Sequence, residues 1–102
     1  MGASGTATLN FGAFPGASDA SVAVTGQAGI LSGSLVEAWI RPIATADHSA
    51  DEHMIESFRV FAGNISVGTG FTIYGFNTSE ITDNEGRGTR VYGQWTIAWA
   101  FV

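Results

Sequence analysis

The chain has 102 residues, nine carboxylates against four Lys and Arg combined, and a formal net charge of −5 at neutral pH. That length suits a single domain over residues 1–102, and 45% hydrophobic residues supply enough core to exclude wholesale disorder. The cations are Arg41, Arg59, Arg87 and Arg90, with no lysine and no cysteine. This argues against nucleic-acid binding and excludes Schiff-base chemistry, a nucleotide-loop lysine, disulfides, thiol nucleophiles and cysteine-ligated zinc.

Charged residues make up 13% of the chain, against about 25% in ordinary globular domains. A Ser/Thr/Asn/Gln exterior on an all-β protein accounts for this, as does a surface covered in an assembly, where charge is depleted. The start, Met1-Gly-Ala-Ser-Gly5, lacks the basic and apolar regions of a signal peptide. No apolar run is long enough to span a bilayer, so a soluble protein made in a cytoplasm, with no membrane partner, is expected. The sequons at Asn64 and Asn77 are then incidental.

Strand signals recur between glycine-rich turns. Residues 6–11 place Ala7, Leu9 and Phe11 inward and Thr6, Thr8 and Asn10 outward. A turn over 14–19, with Pro15 and Gly16, leads to a short Thr/Val strand at 20–25. Residues 26–33 read as a loop or a brief strand around Ile30 and Leu31. A stronger strand over 34–43 puts Val36, Ala38 and Ile40 on one face and Leu35, Glu37, Trp39 and Arg41 on the other. Pro42 must end its pairing or lie at an edge.

One helical turn fits within residues 45–56, with Thr45 or Asp47 as its cap. Further strands are expected at 54–61, weakly at 64–67, and clearly at 71–77. Gly68-Thr-Gly70 reads as a hairpin turn, since neither a lysine nor a helix follows it. After a polar loop at 78–88, the strand over 89–102 is the most informative. Val91, Gly93, Trp95, Ile97, Trp99 and Phe101 share one heavily aromatic face. The other face passes from Gln94 and Thr96 to Ala98, Ala100 and Val102, as if its end were covered on both sides. The expected architecture is all-β: a single compact β-sandwich, possible as a jelly-roll variant, of about seven to eight antiparallel strands with at most one short helical turn.

Chemistry-bearing residues concentrate in Asp47-His-Ser-Ala-Asp-Glu-His53, with Glu56 just beyond. Imidazole and carboxylate groups suit a divalent ion. His48 and His53, however, are five apart and do not share a helix face. A solvated or interfacial acidic loop built on Asp47, His48, Asp51, Glu52 and His53 is therefore favoured, and no metal or cofactor is expected. Glu37 and Glu56 could approach across a sheet as a glycosidase needs, but cross-strand pairing with Arg41 or Arg59 is favoured. No serine sits in a nucleophile elbow. Trp95 and Trp99 belong to the buried row, which leaves Trp39 as the better surface contact. Arg87 and Arg90 flank a glycine-rich loop and either clasp the acidic loop of a neighbouring copy or are simply solvated.

The phrases Ala46-Asp-His-Ser-Ala-Asp-Glu-His53, Gly68-Thr-Gly-Phe-Thr-Ile-Tyr74 and Tyr92-Gly-Gln-Trp95 stand in a small chain rich in Gly, Ala and Thr. In size, composition and turns it resembles the small β-sandwich structural proteins of tailed-bacteriophage virions. The resemblance implies a non-enzymatic capsid-decoration or cement protein, made in the host cytoplasm and located in the virion. Its partners would be other copies of itself, as a dimer or trimer, and a major capsid protein whose subunits it bridges. The expected interface comprises Trp39, the acidic loop, Arg87, Arg90, Ala98, Ala100 and Val102. The alternative is a tail-associated carbohydrate- or receptor-binding module using Trp39, Tyr74 or residues 77–90. Metal-assisted hydrolysis at His48 and His53 is the third reading.

Overall fold

A computed structural model describes residues 2–13, 16–55, 58–77 and 91–102. Six strands and one short helix are found among them: β1 Ala3–Asn10, β2 Asp19–Val24, β3 Val36–Ile40, α1 Ala50–Ile55, β4 Phe58–Ser66, β5 Gly70–Asn77 and β6 Gln94–Phe101. They form two three-stranded sheets, β1-β6-β3 and β2-β5-β4. All four strand pairings are antiparallel. The fold is the expected sandwich, with the aromatic strand β6 at the centre of one sheet.

The pairing register explains the choice of residues along β6. Across the inner face Trp99 lies between Gly5 and Ala38, Phe101 between Ala3 and Val36, and Ile97 between Ala7 and Ile40. Large residues on the central strand thus stand between small or medium ones on its neighbours. A Cβ on Gly5 would lie 2.7 Å from Trp99 Cζ2, so the indole occupies the space that glycine leaves open. Ring contacts continue into the second sheet, Phe71 meeting Trp99 edge-on at 5.3 Å and Phe58 meeting Trp95 at 5.3 Å. Leu9, Ile30, Ile73, Val91, Trp95 and Ile97 are fully enclosed. Trp99 Nε1 is buried with no hydrogen-bond partner, a local cost set against that packing.

Several boundaries differ from the sequence reading. The expected separate strand at 64–67 is the end of β4, continued through a register shift between Gly63 and Ser66, where Asn64 takes φ +54°. Of the two readings of residues 26–33, the loop is the one found, with Ile30 buried and Leu31 exposed. Met54, expected to open a strand, lies exposed on α1, and the strand begins at Phe58. β3 is only five residues long. Its register ends with Arg41 N–H donating to the Thr96 carbonyl at 2.9 Å, one residue before Pro42. The expected loop at 78–88 and the start of the last strand at 89–90 lie outside the described residues, as does the turn residue Pro15.

Candidate functional site

The acidic loop owes its shape to the early end of β3. Toward β3, the strand β6 presents the backbone groups of alternate residues, and Pro42 interrupts the chain that would meet them. Side chains replace the missing strand. Gln94 N–H donates to Asp47 Oδ1 at 3.0 Å, and its carbonyl accepts from the Thr45 hydroxyl at 2.7 Å. Thr96 N–H donates to His53 Nε2 at 2.9 Å, and the Thr96 hydroxyl donates to the Ile43 carbonyl at 2.9 Å. Each unsatisfied buried backbone group would cost about 1–3 kcal/mol, so this clasp stabilises the open half of a central strand.

The helix that carries His53 is capped by Ser49. Its hydroxyl accepts from Glu52 N–H at 3.2 Å, and Glu52 Oε1 accepts from Ser49 N–H at 2.7 Å, a reciprocal capping box. Thr45 and Asp47, the expected caps, serve β6 instead. The Ser-x-x-Glu spacing of residues 49–52 is the sequence signal that identifies the cap.

Both imidazoles are buried against Trp95, although they do not share a helix face. His48 precedes α1 and stacks on the indole at 3.7 Å and 18°, while His53 meets it edge-on at 4.9 Å. His53 Nδ1 donates to the Ser49 carbonyl at 2.7 Å, leaving Nε2 to accept from Thr96, which fixes its tautomer. His48 faces two acceptors: Glu52 Oε2 at 3.1 Å from Nδ1 and the Tyr92 carbonyl at 2.6 Å from Nε2. Satisfying both requires a proton on each ring nitrogen, so the arrangement calls for the imidazolium. Burial, the largest single influence, opposes that charge. The hydrogen bonds to Glu52 and Tyr92, with the charges of Asp47 and Glu52, outweigh it and raise the His48 pKa. The Glu52 carboxyl is held below its usual range, first by the Ser49 backbone N–H and then by His48. All four ring nitrogens therefore have protein partners, and among the described residues no group of three His, Cys, Asp or Glu could hold a metal ion.

Two exposed surfaces stand apart from this loop. The first is the end of the sandwich where β6 finishes, the loop before β3 folds over and the β4–β5 hairpin turns. Leu35 and Val102 exchange both backbone hydrogen bonds, at 3.1 and 3.0 Å, and Gly68 N–H donates to the Ile30 carbonyl at 3.0 Å. Leu31, Leu35, Val67 and Val102 project there with 59–73% of their surfaces exposed. Between β3 and β4 this end opens into a groove of about 580 Å³ that includes Val36, Ala62, Ile65, Ala100 and Phe101, with Glu37 the only charged side chain among the described residues that line it. No charged side chain occurs in 20–36, 60–76 or 91–102.

The second surface is the outer face of the β2-β5-β4 sheet. Its register sets Asp19, Phe76 and Arg59 in one row and Ser21, Tyr74 and Phe61 in the next. Phe61 and Phe76 stack at 5.5 Å and 25°, with the Arg59 guanidinium 4.9 Å from the centre of the Phe61 ring.

The expected interface residues thus fall into separate places. Asp47, His48, Glu52 and His53 form the clasp, with Asp51 exposed beside them. Trp39 is exposed on the outer face of the β1-β6-β3 sheet, in register with Ala98, which is buried between Trp39 and Thr6. Ala100 lines the apolar groove and Val102 stands at its end. Arg87, Arg90 and Glu56 lie outside the described residues, so the proposed arginine clasp and the Glu37–Glu56 pair do too. Arg59 rests on Phe61, and among the described residues no Arg–Glu ion pair forms. Sequence reasoning missed Leu31, Leu35 and Val67 at the apolar end, and Phe61 and Phe76 on the outer face. The signal for the latter pair was aromatic residues on both alternation faces of β4 and β5.

The fold and these surfaces define a small all-β sandwich with a structurally committed histidine pair and, among the described residues, two exposed apolar areas. Compared with known proteins, the chain matches no protein-family model, no curated protein and no solved structure.

Proposed function

We propose that this chain is a non-enzymatic structural protein of a virion, a decoration protein that docks on a capsid through its apolar end and strengthens the lattice by adding buried area. The observation that carries the reading is that end itself: four large aliphatic side chains beside a groove whose walls are mostly apolar. Soluble monomers rarely leave such a cluster in water, and contiguous apolar patches mark interaction sites. Covering Leu31, Leu35, Val67 and Val102 would contribute about 1–2 kcal/mol each, scaled from the burial of whole aliphatic side chains. The virion assignment comes from the resemblance in size, composition and turns.

The chemistry of the acidic loop supports a non-catalytic role. Its imidazoles are occupied by Trp95, Thr96, Tyr92, Glu52 and Ser49, and the contacts with Trp95 and Thr96 tie the loop to β6. Co-sedimentation with purified capsids tests the proposal. Wild-type protein binds in proportion to capsid subunits, whereas Leu35→Asp and Val102→Asp lose binding while keeping the native spectrum of a folded sandwich. Failure of the wild type to bind, or unchanged binding by both variants, overturns the reading.

A further inference from the structure

The outer face of the β2-β5-β4 sheet has the makings of a ligand site, and it is independent of any capsid contact at the apolar end. Phe61, Tyr74 and Phe76 are 38–42% exposed, yet they are not scattered. Adjacent rows of one sheet place them together, and the stacked pair Phe61–Phe76 lies diagonally across the face. Beyond them the next row is Ala23, Thr72 and Gly63, and a Cβ at Gly63 would meet nothing within 4 Å. The rings therefore stand above a shelf of small residues. A groove of about 480 Å³, within the usual size of small-molecule sites, runs over Asp19, Ser21, Phe61, Tyr74 and Phe76.

The occupant must satisfy rings and rim together. Three aromatic side chains at this exposure offer roughly 250 Å² of surface, taking about 150–250 Å² for each whole ring. A stable protein–protein contact needs about 800 Å² per partner, so the platform is far too small for a second copy and suits a compact ligand. The aromatic faces are electron-rich and attract polarised C–H groups. The rim carries a carboxylate at Asp19 and hydroxyls at Ser21 and Tyr74, which accept from or donate to ligand hydroxyls. A molecule with one C–H face and an edge of hydroxyls fits this description. Among the described residues the face has one cation, Arg59, already lying over Phe61, and the chain is acidic overall, which disfavours acidic sugars.

We infer that the Phe61–Tyr74–Phe76 face binds a neutral pyranose unit of a glycan, with ring C–H groups on the aromatic platform and hydroxyls on Asp19, Ser21 and Tyr74. Amide-resolved NMR titration of the full chain tests this, using lactose, maltotriose, cellotriose and chitotriose as neutral probes and sialyllactose as the acidic comparator. At least one neutral probe should saturably shift the amides of Ser21, Phe61, Tyr74 and Phe76. Tyr74→Ala and Phe76→Ala should weaken that binding about tenfold or more, equivalent to one lost contact of about 1.4 kcal/mol. Trp39→Ala should leave it unchanged. The Trp95 indole resonance reports whether each variant is folded. Should the alanine variants unfold, Ser21→Trp covers the platform without removing a ring and must abolish binding. Silence of these amides toward every neutral probe overturns the inference. So do unchanged affinity in a folded Tyr74→Ala or Ser21→Trp variant, tighter binding of sialyllactose, and shifts at the same amides on raising the protein concentration alone.

Discussion

His48 is a buried imidazole held by a carboxylate, a carbonyl and the face of an indole, an arrangement that favours its protonated form. Because the folded chain holds its proton more tightly than the unfolded chain does, the stabilisation is complete below the ordinary histidine value of 6.5 and is lost as pH rises through the higher folded value. Glu52 works in the opposite sense. Its folded value is lowered, so its contribution is present above 4.5 and lost as pH falls through the folded value. Both contributions are complete between about 4.5 and 6.5. Urea unfolding should show the gap between wild type and His48→Gln widest in that interval and narrowing toward pH 8, and a gap constant from pH 5 to 8 would remove the assignment of charge. Gly93 is a second sensitive residue. At φ +82°, an added Cβ would lie 2.6 Å from His48 Nε2 and would also collide with Asp47 Oδ2. Gly93→Ala should cost at least about 1–3 kcal/mol of unfolding free energy from backbone strain alone, measured by the same method. At this scale the sequence was informative about type but not partnership. Trp95 and Trp99 were legible as core and Trp39 as exposed. The imidazole roles were not, because spacing along a helix cannot show that His48 lies before the helix and both rings meet one tryptophan from another strand.

The loop between β3 and β4 acts as a strand made of side chains. Its dependence on single groups makes it fragile in a readable way. His53→Ala removes the acceptor of Thr96 N–H. We expect a loss of about 1–3 kcal/mol and faster amide exchange at Thr96, while Ala98, deeper in the β3–β6 pairing, stays protected. Equal acceleration at both amides would mean that the loop does not hold this edge independently. Elements of strict alternation, such as β1, β5 and β6, were legible within a few residues. The stretch around Met54 was not, because its apolar alternation also fits a short capped helix, and only Ser49 and Glu52 distinguish the two. Residues 58–66 read as two pieces because Gly63 and Asn64 look like a turn, yet the strand passes them by a local shift of register.

Among the described residues, the charged side chains other than Glu37 gather toward one end of the sandwich, and four exposed aliphatic side chains cluster at the other. Asp19, Arg41, Asp47, Asp51, Glu52 and Arg59 sit toward the end where β6 begins, and Leu31, Leu35, Val67 and Val102 project from the end where it finishes. The sandwich was legible from periodicity and turn spacing. This polarity was only half legible: the terminal strand showed Ala98–Val102 as a contact candidate, whereas Leu31 and Val67 come from loops that the topology brings together. Such an arrangement suits a protein that docks end-on and leaves its charged end and aromatic sheet face outward. The most direct test is the difference in deuterium uptake between free and capsid-bound protein. Docking by the apolar end predicts protection in residues 29–36, 65–70 and 98–102, with no change in 45–55. Protection confined to the acidic loop, with the apolar end exchanging as it does in the free chain, would contradict it.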